Sequence, residues 1–573
     1  MGAAPKNPKP RKLKPIERPL GGSSKSSLRY NFIDLTPQLI SDHPDFKSLV
    51  DHVFDEIKAH GRGYTQDKYN HHLRDHLRLV LLNLSLAYFS DPEKTVRYFR
   101  DKNRYSKGTI LHQLFIKYSY LVQRVIPYLR DQGYIEDWKG QYFEDSKFAS
   151  RMRATPKLME IVQNQHKVTL PMIRRTLPEK DLVILRDEEK NNIDYADTPY
   201  TLKMKENLKL INEVLNSNVI LLKITDQDLA YLNQRLNGHR NDEIRKRGSI
   251  DFTQTSLWRV FNNSSWSQGG RFYGGWWQRI LHRKQTGEDY RKDITINGMP
   301  TWEYDYSGFH INMLYAFENL SLPEEDVYKL PGYSNTEAFR RFVKRMLLVM
   351  VNASSRSSVR KVMHEAVHRY HSLELPSDIK STRNVDIFPI MDALERKHAP
   401  IKDNFCTGKG IDLQYHDSVI AEAILVLLAK HNIPCLPLHD SFIVDCRYHE
   451  WLNYIMQAAF RKYFGKDCTV TPKKFIIHDA IERAMDELYN RRMQPKEKVT
   501  EGEDKNIGND YSQYDKMLKE FAEAKGVTIE EYEFRSPTEE ELMEFRDDLK
   551  RIYEQLQRIE EKIEMHFPSF SAR

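Results

Sequence analysis

Only four cysteines occur in 573 residues, Cys406, Cys435, Cys446 and Cys468, and no two of them form a CxxC pair. That spacing argues against a zinc site and against a disulfide framework, so reduced thiols are expected. Long hydrophobic runs are also missing. No stretch of about 18 apolar residues is present and no apolar segment follows the basic start, so neither a membrane span nor a secretory signal is expected, and a cytoplasmic location is. Residues 155–245 hold no exonuclease-like set of spaced carboxylates, since Asp187-Glu188-Glu189 reads as a surface charge run.

What the chain has in excess is aromatic and basic. Its 31 Tyr and 26 Phe suit stacking on bases as well as they suit a plain core. The formal charge of +7 is unevenly spread: residues 495–573 carry 13 Lys+Arg against 21 Asp+Glu, a net of −8, which leaves +15 on residues 1–494. A basic body of that size suits a polyanionic partner, because neutralising phosphates releases counterions. The acidic end reads as a solvated helical tail or as a cover for the basic surface.

Residues 1–27 combine Pro, Gly, Ser and basic residues and are expected to form a disordered basic tail. Residues 28–154 read as a helical domain. Within it, a helix over about 118–132, then Gly133, a strand over 134–138 and a second polar strand ending near Arg151-Met152-Arg153 follow the order of a winged helix, or of a structural helical cap. Residues 155–245 alternate helices (201–215, 226–236) with apolar strands (182–185, 219–224). At the far end, Ser536-Pro537-Thr538-Glu539 has the form of a capping box. Leu542, Phe545, Leu549, Ile552, Leu556, Ile559 and Ile563 then form a heptad seam, so 538–566 should pair with a helix of the same chain or of a second copy.

Two stretches carry chemistry. Residues 293–306 read as two strands around an Asn297-Gly298 turn, delivering Asp305 to a strand end before a helix that begins near Gly308. Residues 433–445 read as two further strands with His439-Asp440 at their turn. Asp305 and Asp440 on neighbouring strands suit two Mg²⁺ ions about 3.5–4 Å apart. Between them lies a helix over 335–352 in which Arg340, Lys344, Leu348 and Asn352 recur every four residues along about 18 Å. Its cations suit nucleotide phosphates, the alternative being an amphipathic helix with solvated basic residues.

In combination these residues resemble family A DNA polymerases and their relatives, the single-subunit RNA polymerases of phages and mitochondria. Asp305-Tyr306-Ser307 resembles motif A; Arg340, Lys344 and Asn352 resemble motif B; Leu438-His439-Asp440-Ser441 resembles motif C. Gly270-Arg271-Phe272-Tyr273 with Gln278 resembles the Gly-Arg motif that touches template and primer, and the order holds over about residues 246–490.

The resemblance implies an α+β right-hand fold. Its thumb would be 155–245, its palm 246–334 and 405–494, and its fingers 335–404, flanked by the N-terminal domain and the acidic helical extension 495–573. It implies nucleotidyl transfer with two Mg²⁺, Mn²⁺ being the alternative ion, on a DNA or RNA template and primer with nucleoside triphosphates. Asp305, Asp440 and the Tyr306 main chain would hold metal, and Lys344 would act as general acid. Arg340, Lys344, Leu348, Asn352 and His310 would contact the nucleotide; Arg271, Tyr273, Gln278 and His439 would contact nucleic acid.

Departures from the pattern bear on the substrate. Asn352-Ala353 stands where the family carries Tyr-Gly, and His310 stands where its DNA polymerases carry the glutamate that excludes a ribose 2′-hydroxyl. Ser441 looks more like the RNA polymerases and Asp305-Tyr306-Ser307 more like the DNA polymerases, so DNA synthesis is the first reading and RNA synthesis the second. Two other classes remain: a catalytically inactive nucleic-acid-binding protein for replication or regulation, and a metal phosphohydrolase using His416-Asp417 or His439-Asp440. With a body of +15, nucleic-acid affinity should fall steeply between low and physiological salt. A fluorescence-anisotropy titration that finds a flat salt dependence contradicts a phosphate-dominated surface.

Overall fold

The structure is a computed structural model that describes residues 31–61, 66–107, 115–140, 142–143, 146–147, 149–237, 249–281, 289–369, 371–473, 511–527 and 529, with scattered positions between 540 and 554. The tail 1–27, the capping box at 536–539 and every residue of the heptad seam lie outside the described residues. The described residues are mixed α/β and fall into two compact units, one from residues before 36 and from 54–160, the other from 36–53, 161–236 and 249 onward. No described helix is long and apolar enough to cross a membrane.

The first unit is a four-stranded sheet in the order β1 (Phe32–Asp34), β2 (Thr95–Tyr98), β4 (Ser150–Ala154), β3 (Ile135–Trp138). β1 runs parallel to β2, and the other pairs are antiparallel. Helix α1 (Asp67–Ser90) packs on β4 through a stripe that includes Leu73, Leu77, Val80 and Leu84, the three-to-four spacing of a buried helix face. Helix α2 (Ile126–Asp131) starts with Pro127 in its first turn, and Gly133 at φ 71° lets the chain turn into β3.

The helix, glycine and hairpin expected of a winged helix are therefore present in order, but β3 and β4 are two strands of a larger sheet. Arg151 is buried over the Phe32 ring at 4.1 Å, and Arg153 pairs with Glu93 and Glu136. Both arginines are thus committed to partners within the unit.

Among the described residues the second unit contains two larger sheets and a two-stranded pair, Leu39–Ile40 with Arg174–Arg175. One larger sheet has the order β6 (Asn192–Ile193), β5 (Val183–Arg186), β8 (Trp258–Phe261), β9 (Gly269–Tyr273). The other has the order β7 (Ile220–Leu222), β10 (Ile294–Ile296), β11 (Met299–Tyr306), β13 (Ser441–Asp445), β12 (Cys435–Leu438), with β14 (Val470–Pro472) also pairing with β11. Asn297 and Gly298, at φ 53° and 85°, form the β10–β11 turn, the left-handed pair that matches the strand twist. Strands β5 and β7 come from the stretch expected as a thumb, so residues 155–245 are woven into both sheets.

Helix α3 (Pro199–Ser217) opens on a reciprocal cap, in which Thr198 and Thr201 each accept the other's main-chain N–H. Helices α4 (Phe309–Phe317), α5 (Glu337–Asn352), α6 (Gly410–Lys430) and α7 (His449–Phe464) complete the body. From the acidic extension, α8 (Ser512–Lys525) docks through buried Tyr514 and Phe521, with the Tyr514 hydroxyl 3.2 Å from Thr295 Oγ1. That stretch is packed rather than a solvated tail.

One polar cluster ties these layers together. Arg259 on β8 and Glu422 on α6 have side chains only 0% and 2% exposed, and they form an ion pair. Arg259 also donates to the Gly270 carbonyl (2.7 Å) and to Ser418 Oγ (3.0 Å), while Asn207 of α3 donates to Glu422 (3.0 Å). At Gly270 a Cβ would stand 2.7 Å from Ser418 Oγ and 2.8 Å from the Phe261 ring, so only glycine admits this approach of β9 to α6. Removing one member of a buried pair strands the other's charge, so Glu422→Gln should cost about 3–5 kcal/mol. The paired replacement Arg259→Met with Glu422→Leu should recover most of that in urea denaturation. A Glu422→Gln midpoint equal to the parent's contradicts the assignment.

Candidate active site

The β11–β13 ladder sets Asp305 opposite Ser441, and the Tyr306 N–H donates to the Asp440 carbonyl at 3.3 Å. The two aspartates are thus neighbours on adjacent strands. Asp440 follows His439 in the two-residue turn between β12 and β13. His439 sits at φ 66°, a left-handed conformation that costs a non-glycine residue about 1–2 kcal/mol and that the flanking Leu438–Ser441 pair holds in place.

Neither carboxylate has a hydrogen bond or ion pair with a described residue, and Asp305 Oδ1 is buried. Burial, and then the Asp440 charge, push the Asp305 carboxyl up to about 7, while Lys473 and Lys344 pull it back down. Beside Asp440, burial and the Arg271 guanidinium lower the His439 imidazole from its ordinary value.

Helix α5 starts where Thr336 Oγ1 accepts the Phe339 N–H at 3.2 Å, and it buries Phe339, Phe342, Val343, Met346 and Met350. Lys344, Leu348 and Asn352 are thereby left on its exposed face and line a cleft of about 690 Å³ with His310, His439 and Asp440. Lys344 has no ion pair among the described residues; its ammonium lies 5.6 Å from the centre of the Tyr328 ring. Arg340 lies over the same ring at 5.2 Å, but its Nε is bound to Asp326 at 2.5 Å. Both side chains of that pair are more than a third exposed, so an anionic ligand can displace it at small cost.

The Gly-Arg residues are placed differently from one another. Arg271 lines the cleft, but its Nε and Nη2 are bound to Asp417 of α6, whose side chain is 1% exposed. His310 Nε2 stands 3.2 Å from the same Asp417 carboxylate and 3.4 Å from Arg271 Nη2. Arg271, expected to contact nucleic acid, is thus one member of an Arg–Asp–His cluster. Gln278 is corrected more fully. Its amide accepts from Gly274 N (3.0 Å) and donates to the Phe272 and Pro437 carbonyls (3.1 and 3.0 Å), which makes it a strut between β9 and β12. Tyr273 meets the His439 ring edge-on at 6.1 Å.

Asn352 and His310 share the cleft but are held apart. The Asn352 amide donates back to the Leu348 carbonyl (2.7 Å), and its Oδ1 lies where a Cβ on Gly410 would come within 1.9 Å. The phosphohydrolase pairs do not converge either. His416 Nδ1 meets the Tyr463 hydroxyl at 2.9 Å while Asp417 turns to Arg271, and His439-Asp440 lies at a strand turn.

Four residues in or beside the site escaped the sequence reading. Asp417 was noticed only for its histidine neighbour, and Tyr328 lies in an aperiodic loop. Glu303 and Lys473 flank Asp305: Glu303 is two residues earlier on β11, and Lys473 follows β14, with its N–H donating to the Glu303 carbonyl at 2.9 Å. Period-two alternation along β11 places Glu303 on the same face as Asp305, which was a usable signal.

Whether the residues fit a divalent metal is decided by the donors. Among the described residues no cluster of three or more His, Cys, Asp or Glu side chains is arranged to hold an ion. Two carboxylates without protein partners, one with a buried orphan oxygen, do match the habit of Mg²⁺, which takes one or two carboxylates and completes its shell with water and substrate phosphates.

No protein-family model and no curated protein matches this chain. In the metal-free chain the raised Asp305 carboxyl has a stability consequence. The folded form keeps a proton that the unfolded form releases between about pH 4 and 7, so this stabilisation is complete below the ordinary carboxylate value and is lost as pH rises through 7. Asp305→Asn should therefore stabilise the chain at pH 8 by about 1 kcal/mol or more, and hardly at pH 4. Equal changes in denaturation midpoint at the two pH values contradict this.

Proposed function

We propose that this chain is a template-directed nucleotidyltransferase of the family A and single-subunit polymerase type, with DNA synthesis as its first activity. The observation that carries the reading is the pair Asp305, on β11, and Asp440, in the turn that opens β13: neither has a partner among the described residues, each charge is felt by the other, and Asp440 lines the same cleft as Lys344. The order Gly-Arg, A, B, C along the sequence supports it. In this reading the sheet bearing Asp305, to which β7 from the 155–245 stretch also contributes, is the palm, and 335–404 the fingers.

Two Mg²⁺ ions, when bound, supply the Lewis acidity that activates the attacking hydroxyl and steadies the leaving pyrophosphate. Asp305, Asp440 and the Tyr306 main chain would hold them. In the reaction the primer 3′-oxygen bonds to the α-phosphorus, and the bond from that phosphorus to the β-bridging oxygen breaks. Lys344, without a competing ion pair, is the group to hold the triphosphate and to give the leaving pyrophosphate its proton. Arg340 would exchange Asp326 for the γ-phosphate, and Leu348 would offer an apolar contact to the sugar and base.

Asp417 neutralises Arg271, which fits a contact to minor-groove edges better than a contact to phosphate. With His310 fixed on Asp417, a rigid imidazole stands where the resembled family selects its sugar.

Asp305→Ala or Asp440→Ala should reduce primer extension by about 10²–10³-fold or more while leaving nucleic-acid affinity nearly unchanged. The decisive measurement is extension on primed and unprimed templates with deoxy- and ribonucleotides supplied separately. Deoxynucleotide extension of a primer supports the reading. Extension by Asp440→Ala at the parental rate, nucleic-acid binding without extension, or phosphate release without chain growth each contradicts it.

A further inference from the structure

Diagonal to Asp305, on the strand edge next to β11, lies a cation that the resemblance does not assign. β14 pairs Thr471 opposite Asp305, and the Lys473 N–H continues the ladder to Glu303, so Thr471 and Lys473 alternate in step with Asp305 and Glu303. In such a ladder the diagonal neighbours are about 7–8 Å apart at their Cα atoms, within reach of a lysine side chain. Lys473 pairs with Glu303 Oε1 and lies 3.4 Å from Ser441 Oγ, which itself donates to Glu303 Oε1 at 2.7 Å. Arg291 Nη1 adds a second cation at 3.4 Å from the same oxygen. Glu303 is 1% exposed and Lys473 30% exposed, so a largely buried carboxylate anchors an ammonium at the edge of the site.

This anchoring is costly unless the charge has a use. Glu303 Oε2 is buried without a partner, so the carboxylate spends only one oxygen, on Ser441, Lys473 and Arg291. Lys473 stands diagonal to Asp305 across the β11–β14 ladder, while Lys344 approaches from α5. The difference between the two matters: Lys344 lines the cleft on the opposite element, whereas Lys473 is fixed in the sheet that bears the aspartates.

We propose that Lys473, anchored by Glu303 and Ser441, is a positioning residue that acts as a resident counter-cation for Asp305: it offsets that charge beside Asp440 in the absence of metal and competes with divalent ions for it. The inference rests on the metal-binding role of Asp305 and Asp440 given above. It makes the site's affinity for metal deliberately modest, so that tight occupancy awaits the additional negative charge of a bound triphosphate.

The test is Mn²⁺ binding to the full-length chain, without nucleotide or nucleic acid, measured by electron paramagnetic resonance. Lys473→Met should tighten Mn²⁺ binding by about tenfold, the scale of one nearby charge in a partly screened site, and Lys473→Arg should bind as the parent does. Glu303→Gln, which removes the anchoring charge and leaves the ammonium uncompensated, should weaken binding. Opposite signs from these two variants are not produced by simple loss of packing. Unchanged or weaker binding in a folded Lys473→Met overturns the inference while the active-site reading stands. Should Lys473→Met fail to fold by circular dichroism, Glu303→Gln decides alone, and parental affinity there overturns it. If the parent does not bind Mn²⁺, or Asp440→Asn binds it as the parent does, the active-site reading falls and the inference falls with it.

Discussion

Two carboxylates held side by side on paired strands repel each other, and much of the second unit can be understood as the means of bearing that repulsion. The register of β11 against β13 sets Asp305 opposite Ser441, next to Asp440, and a slip of one residue would turn every side chain of β11 to the other face of the sheet. A strained turn at His439 delivers the second carboxylate. The charge that results is met from two sides, by Lys344 across the cleft and by Lys473 within the sheet. Positive charge that would overcompensate is removed: Asp417 takes up Arg271 and Asp326 takes up Arg340. The site is therefore close to balanced before any ligand arrives, a condition under which a bound anion and a divalent cation reinforce one another.

That balance depends on α6 lying in one place. Asp417, Ser418 and Glu422 are consecutive contacts of this helix with the β8–β9 sheet, and the Arg259–Glu422 pair fixes it both along its axis and around it. A purely apolar contact would tolerate small shifts of the helix, whereas the fork of a guanidinium does not. Gly270 permits the close approach, and Gly410, at the start of the same helix, lets it press on Asn352 at the end of α5. One helix thus ties the Gly-Arg strand to the end of the helix that carries Lys344.

These features differ in how plainly the sequence announces them. Asn297-Gly298 is a local turn signal and the apolar runs around His439-Asp440 are local strands; each was legible because its cause lies within a few residues. The partner of Arg271 is 146 residues away and the partner of Arg259 is 163 away, and no spacing rule connects them. Composition also says nothing of a distant counter-charge, which is why the sequence offers Arg271 as a nucleic-acid contact without its Asp417 partner. Gln278 is a case of the same kind: a glutamine beside a basic motif reads as recognition, yet backbone carbonyls claim its amide. The stretch 155–245 was legible as helices and strands but not as a contributor to two sheets, because pairing between distant strands leaves no local trace.

The departures at Asn352-Ala353 and His310 take on a common sense once Tyr328 is included. The resembled family places an aromatic ring at the end of the motif B helix, where it meets the nascent base pair. Here that helix ends in a small amide pressed against Gly410, and an aromatic ring of the cleft comes instead from the loop before α5, under Arg340 and Lys344. Burial and the Asp440 charge keep the Tyr328 hydroxyl protonated far above its ordinary range, so it can act only as a neutral donor or acceptor. Tyr306 and Phe309 also line the cleft, together with His310, held at Asp417, and a wall of Leu348 and Asn352. Selection in such a cleft falls on the sugar's contact with a fixed imidazole more than on stacking of the base, which makes the Asp417–His310 pair the element that decides between ribose and deoxyribose under the proposed reaction.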